Sequence, residues 1–184
     1  MKHIIHIFGA SGSGTTTLGR KLCDRAGFTL LDADNYFWVP SDPPFTEKRK
    51  ASERVELLKR DIANSDNVVL SGSIIKWGDE LIPLFTLAIR LETDTPTRIQ
   101  RIIDRQKNEY GNRIERGGDM YYNHIKFVNW AREYDKGGLD MRSKASHDQW
   151  QRLLECKVIT LKGADDLEEN CRMVTDYLSA TENR

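Results

Sequence analysis

Cysteine is scarce: Cys23, Cys156 and Cys171 are the only three in 184 residues. They are too few and too scattered for a disulfide framework or a zinc site, and the expectation is buried, reduced thiols in a cytosolic protein. No apolar run approaches the ~20 residues that cross a bilayer. The opening Met1-Lys2-His3-Ile4-Ile5-His6-Ile7-Phe8 is closed by Gly9 too soon to be a secretory h-region. Net charge is lacking as well, since 28 Lys and Arg meet 28 Asp and Glu. That balance argues against a polybasic binder of nucleic acid or of anionic membranes, although local basic patches remain open. There is no internal repeat, no low-complexity tract and no linker. The expectation is one domain over residues 1–184, cytoplasmic, monomer or homodimer, with neither nucleic acid nor membrane as partner.

What the chain does contain is 39% hydrophobic residues and 30% charged residues of both signs, the make-up of a globular domain. Short β-branched runs alternate with helical patterns. Residues 4–8 read as a strand buried on both faces, and 28–31, 67–71, 86–91 and 157–161 as four more. Residues 18–26 read as a helix. Thr46 is expected to cap a helix built on Val55, Leu58 and Ile62. Thr95 is expected to cap one with Pro96 at its first position and Ile99, Ile102 and Ile103 along it. A helix over 119–134 places Tyr121, Ile125 and Val128 on one face. Ser146-His147-Asp148-Gln149 reads as a capping box ahead of Trp150. Leu167, Cys171, Val174 and Leu178 mark a closing amphipathic helix. Such alternation implies an α/β fold with a parallel sheet covered on both faces.

Between the first strand and the first helix stands Gly9-Ala10-Ser11-Gly12-Ser13-Gly14-Thr15-Thr16, followed by Thr17. The spacing is that of a phosphate loop, in the strand-turn-helix setting such a loop requires. Glycines let the backbone curl so that its N–H groups point inward, and the helix N-terminus adds about half a positive charge. A di- or triphosphate is the guest that suits it. Thr16 falls where a hydroxyl would ligate Mg²⁺. Thr15 occupies the place of the usual lysine, and losing one preorganised contact of that kind costs roughly 3–4 kcal/mol of transition-state stabilisation. Lys21, about 9 Å further along the helix axis, is a poor substitute. Cations must come from elsewhere.

Asp32-Ala33-Asp34 ends the second strand at the sheet edge where parallel α/β proteins hold ligands. One carboxylate, Asp32, suits Mg²⁺, and Asp34 suits the proton of an attacking hydroxyl. The alternative is a pair of solvated turn residues. Tyr36, Phe37 and Trp38 either wall an acceptor pocket or pack under the loop Pro40-Ser41-Asp42-Pro43-Pro44. Gly72, in Ser71-Gly72-Ser73, would admit a substrate to the backbone, and Lys76 could reach an anionic acceptor. Residues 98–116 carry Arg98, Arg101, Arg105, Lys107, Arg113 and Arg116. Helical spacing puts the first three on one face. Arg101, Arg105 and Arg113, with Arg132 as a further candidate, are expected to form a cationic clamp over the transferring phosphoryl group. Gly111, Gly117 and Gly118 serve as its hinges. The turn from Gly163 to Asp165 is expected beside the nucleotide base. The four histidines show no ligand spacing.

Through Gly9 to Thr17, the Asp32-Ala33-Asp34 and Ser71-Gly72-Ser73 motifs, the arginine helix and Val158-Ile159-Thr160-Leu161-Lys162-Gly163, the chain resembles nucleoside- and nucleotide-kinase-like P-loop proteins over nearly its full length. These include adenylate, cytidylate, shikimate and gluconate kinases. The resemblance implies a three-layer fold whose five parallel strands run in the order 2-3-1-4-5, with a helical lid-like insertion at about 106–140. It implies ATP or another NTP with Mg²⁺, and a small-molecule acceptor. Some cytidylate kinases carry a similar Gly-Thr-Thr variant. The expected activity is phosphoryl transfer to a metabolite; a nucleotide-binding module or weak NTPase of regulatory role is the alternative.

Overall fold

The protein is described by a computed structural model that covers residues 2–182. Its centre is the strand β1 (Ile4–Gly9), buried along its whole length because Ile4, Ile5, Ile7 and Phe8 offer apolar side chains to both faces. β1 lies between β3 (Val68–Ser71) and β4 (Leu87–Glu92), with β2 (Thr29–Asp32) and β5 (Lys157–Lys162) outside them. All pairings are parallel, and the order is β2-β3-β1-β4-β5. The expected sheet is therefore the observed one.

Helices cover both faces. α1 (Thr15–Ala26) and α7 (Leu167–Glu182) close one side, where Leu18, Leu22, Cys171, Val174 and Leu178 meet Ile5, Ile7, Val69 and Ile89. α3 (Ala51–Ala63) and α6 (Lys144–Gln151) lie on the other, where Leu58, Ile62 and Trp150 meet Ile4, Phe8, Leu70 and Ala88. A fully buried Leu or Ile of this kind contributes about 1.5–3 kcal/mol. A short helix, α2 (Ala33–Phe37), follows β2 directly, and α4 (Thr95–Tyr110) packs on α5 (Tyr121–Arg132) through Ile99, Ile102, Val128 and Ala131. Among the described residues no helix is long and apolar enough to cross a membrane.

Helix starts depart from the sequence expectations for local reasons. α3 begins at Ala51, because Thr46 spends its hydroxyl on the Pro43 carbonyl in the preceding loop. Asp94, not Thr95, caps α4: its carboxylate accepts the Thr97 amide at 2.9 Å while Thr95 is already helical. The capping box belongs to Ser143 and Ser146, three residues earlier than expected. Val128 on α5 is buried as expected, but Ile125 is exposed and Ala131 is buried in its place. Cys171 is buried, whereas Cys23 and Cys156 are half-buried; all three are free thiols.

The candidate active site

β1 stands at the reversal of strand order, so the connections leaving β3 and β4 diverge from it and open a crevice at the carboxyl edge. The phosphate loop fills the bottom of that crevice. Gly12 and Gly14 take φ of 80° and 102°, left-handed values that turn successive amides to one side. The outer carbonyls are tied down. Arg98 donates to Ser11 O at 3.4 Å, Thr93 Oγ1 donates to Ser13 O at 3.1 Å, and Ala10 O accepts the Ser13 amide. A Cβ on Gly12 would sit 2.5 Å from the Arg98 carbonyl, so the loop is pressed against the start of α4.

The inner side has no such partners. The bonds into α1 begin with the Leu18 amide on Gly14 O, and no side chain caps the helix. Among the described residues the amides of Thr15, Thr16 and Thr17 therefore have no protein acceptor. Ser13 Oγ is also buried without a partner. Donors left open at a helix N-terminus are what an anionic ligand satisfies, and the donor set fits a phosphate chain.

Asp32 joins this loop to the start of α2. Its Oδ2 accepts from Thr16 Oγ1 and its Oδ1 from the Asp34 amide, both at 3.0 Å, so one carboxylate orders the loop hydroxyl and caps α2. The Thr16–Asp32 pair is the hydroxyl-plus-carboxylate arrangement that suits Mg²⁺ beside phosphates. Asp34 is exposed, in the first turn of α2. Desolvation raises its pKa above the ordinary carboxylate value; Arg142 opposes that rise, Asp32 adds to it and Arg105 opposes it.

Arg142 was not singled out by the sequence. It stands immediately before the Ser143 cap of α6, its guanidinium 5.4 Å from the Trp130 ring centre. Burial lowers its pKa, and the charges of Asp34 and Tyr134 oppose that. Only the position of a capping box signals it, and the expected box lay three residues downstream.

The remaining candidates separate. Arg101 Nη2 donates to Gly163 O at 3.0 Å, and its Nη1 lies 3.7 Å from the point a Cβ on Gly14 would occupy. Arg105 faces Asp34 electrostatically. Arg113 is held away, donating to Asp42 at 2.6 Å and to both oxygens of Asp119. Arg132 is on Asn129. Arg98, on the same helical stripe as Arg101, is fully buried and braces the loop from behind. Gly72 takes φ 94° and its amide donates to Ile7 O, while Lys76 is exposed with φ 69° and makes no hydrogen bond or ion pair among the described residues. Phe37, Trp38, Phe45 and Trp77 pack edge to face, with Arg54 3.8 Å over Phe37, so these rings settle on one another. Tyr36 turns into the core and donates to Asp61. Lys21 is ion-paired with Glu168. Gly163 lies so close to the loop that a Cβ there would overlap Ser13 O.

No protein-family model matches the chain. It is 39% identical over 180 residues to "Uncharacterized protein YqaC" of Bacillus subtilis, covering 98% of this chain and 99% of that protein. It is 28% identical over 158 residues to a uridine kinase of Halobacterium salinarum, covering 66% of this chain and 70% of that one. Among solved structures, shikimate kinase of Acinetobacter baumannii in complex with shikimate superposes with a TM-score of 0.57 at 14% identity, covering 100% of this chain and 97% of the other.

Proposed function

Because the chain belongs to the family that includes YqaC of Bacillus subtilis and has the fold of the P-loop kinases, we propose that it is a Mg²⁺-dependent phosphotransferase. It moves the γ-phosphoryl group of ATP, or another nucleoside triphosphate, to a small hydroxylated or phosphorylated metabolite. The observation that carries this is the set of unpartnered loop amides beside the Thr16–Asp32 pair, with the Asp34 carboxyl two residues on.

The loop from Gly9 to Thr17 cradles the phosphate chain, and its fixed carbonyls keep the amides aimed inward without reorganisation. Thr16 and Asp32 would hold Mg²⁺, which when bound neutralises charge on the outer phosphates. Asp34 takes the proton of the attacking hydroxyl. Arg105 and Arg142 flank it and face the group in transfer, the place the sequence assigned to a wider clamp. The segment at about 106–140 is its lid, hinged at Gly111 and Gly117, whose φ values are 53° and 95°. Arg113 fastens that lid to Asp42 of the proline-rich loop. Gly72 and Lys76 border the acceptor side.

A screen for ADP release from Mg-ATP tests the proposal, run with uridine, cytidine, cytidine monophosphate, gluconate and shikimate. Pyrimidine nucleosides come first because a relative carries the name uridine kinase. At least one acceptor should stimulate turnover; none doing so, with Mg-ATP or Mg-GTP, overturns the transferase reading. Thr15 favours a second reading, a nucleotide-binding module with weak hydrolysis, in which Asp34→Asn leaves turnover unchanged.

A further inference from the structure

We infer that Arg101, reaching in from α4 and anchored on the Gly163 carbonyl, supplies to the phosphate chain the positive charge that Thr15 does not. The assignment rests on the nucleotide-binding reading above and names the side chain that completes it.

A loop lysine is one flexible ammonium beside the outer phosphates. With threonine there, the neutralising charge has to arrive from outside the loop, and the cations near the crevice can be sorted by what already holds them. Lys21 is on α1 but is turned to α7, where Glu168 pairs with it. Arg98 touches the loop through Ser11 O, yet it is fully buried and its donors are spent. They go to Thr93 O at 3.0 Å, Ser11 O at 3.4 Å, Ala131 O at 3.2 Å, Thr95 Oγ1 at 2.6 Å and Asp135 at 3.4 Å. Arg113 is committed to Asp42 and Asp119. Arg105 and Arg142 face the Asp34 carboxylate, at the acceptor end.

Arg101 differs from all of these. It is exposed, on the open side of α4, and Nη1 lies 3.7 Å from the would-be Cβ of Gly14, the residue immediately before Thr15. Among the described residues its hydrogen bonding uses one donor, Nη2 to Gly163 O at 3.0 Å. A guanidinium has five N–H donors in a rigid fork, so four are left for phosphate oxygens. The anchor holds the fork at the loop instead of letting it sweep through solvent. Gly163 is glycine because its backbone is pressed against Ser13 O and Thr93 Oγ1, the same contact that brings its carbonyl within Arg101's reach. Arg98 behind the loop and Arg101 in front of it, one turn apart on α4, thus divide two jobs: one fixes carbonyls, the other offers charge.

Titration calorimetry with Mg-ATP and with Mg-tripolyphosphate, which has no base or ribose, decides this on the full chain. Arg101→Met should weaken both ligands by at least about tenfold, the loss of one charge-assisted hydrogen-bond partner. Adding Thr15→Lys to that variant should restore most of the loss for both. Free guanidinium ion should likewise restore part of the tripolyphosphate affinity of Arg101→Ala. Unchanged affinity in Arg101→Met overturns the assignment. So does a loss confined to ATP with tripolyphosphate spared, which would place Arg101 on the base. If Thr15→Lys binds on its own yet fails to rescue, or if guanidinium ion rescues nothing, the assignment also falls. Absence of heat from the unmodified chain with either ligand overturns the nucleotide reading itself, a result distinct from all of these.

Discussion

In the proposed reaction Asp34 accepts a proton only while ionised, so the forces on its carboxyl set the pH range of turnover. Desolvation lifts its pKa, and Arg142 and Arg105 pull the other way. Turnover should fall on the acid side with a midpoint above the ordinary ~3.9 of an aspartate. Removing a guanidinium in Arg142→Met should move that midpoint to higher pH. Asp34→Asn should lower acceptor-stimulated turnover by roughly 10²-fold or more while Mg-ATP affinity changes little. Steady-state kinetics across pH read both effects, and a pH profile unmoved by Arg142→Met contradicts the arrangement. At this scale the sequence revealed residue types better than their surroundings. Arg98 and Arg101 are three apart on one stripe, but Arg98 meets Tyr134 and Asp135 and is sealed in, whereas Arg101 is exposed beside the loop, the turn after β5 and the charge of Asp94. Burial of that sort is decided by what packs over a helix, which spacing alone does not report.

α6 is seated by His147, which is fully buried. Its Nε2 lies 2.8 Å from Ser73 Oγ beyond β3, and its Nδ1 lies 2.8 Å from Tyr134 OH. Burial, with Arg142 and Arg90 adding to it, pushes its pKa down to about 3; His6, whose Nδ1 donates to Leu70 O, is pushed down by burial to about 4. Between those values and the ordinary ~6.5 the unfolded chain binds more protons than the folded one. Stability is therefore full above about pH 6.5 and drains as pH falls through that window, by about 2 kcal/mol per histidine at about pH 5. The raised pKa of Asp34 acts in the opposite sense. Urea unfolding at about pH 7.5 and about pH 5 should show a lower midpoint at the acid value, with His147→Gln flattening the difference. Equal midpoints would contradict this. Among the described residues the five strands and six of the seven α-helices were legible because their apolar period is local; α2, five residues long, has too few turns to show one. Their starts were less so: Asp94 and Ser143 took caps that Thr95 and Ser146 were expected to form, since a cap depends on which residue's backbone is still extended.

Across the whole molecule, a neutral chain concentrates donors at one crevice. Strand order puts the β1 exit between diverging connections; the loop glycines, the two carboxylates after β2 and the arginines of α4 all arrive there although they are distant in sequence. The loop and the carboxylates were readable from motif and strand end. Arg142 was not, because it comes to Asp34 only through the packing of α6 on the same face of the sheet as α2, more than a hundred residues away in sequence. The central claim is that the backbone amides of the loop hold a nucleotide's phosphate tail. Amide proton–nitrogen NMR of the full chain titrated with Mg-ADP tests it directly. The largest saturable shifts should fall on Gly12, Gly14, Thr15 and Thr16; an unchanged spectrum for those amides at millimolar nucleotide would contradict it.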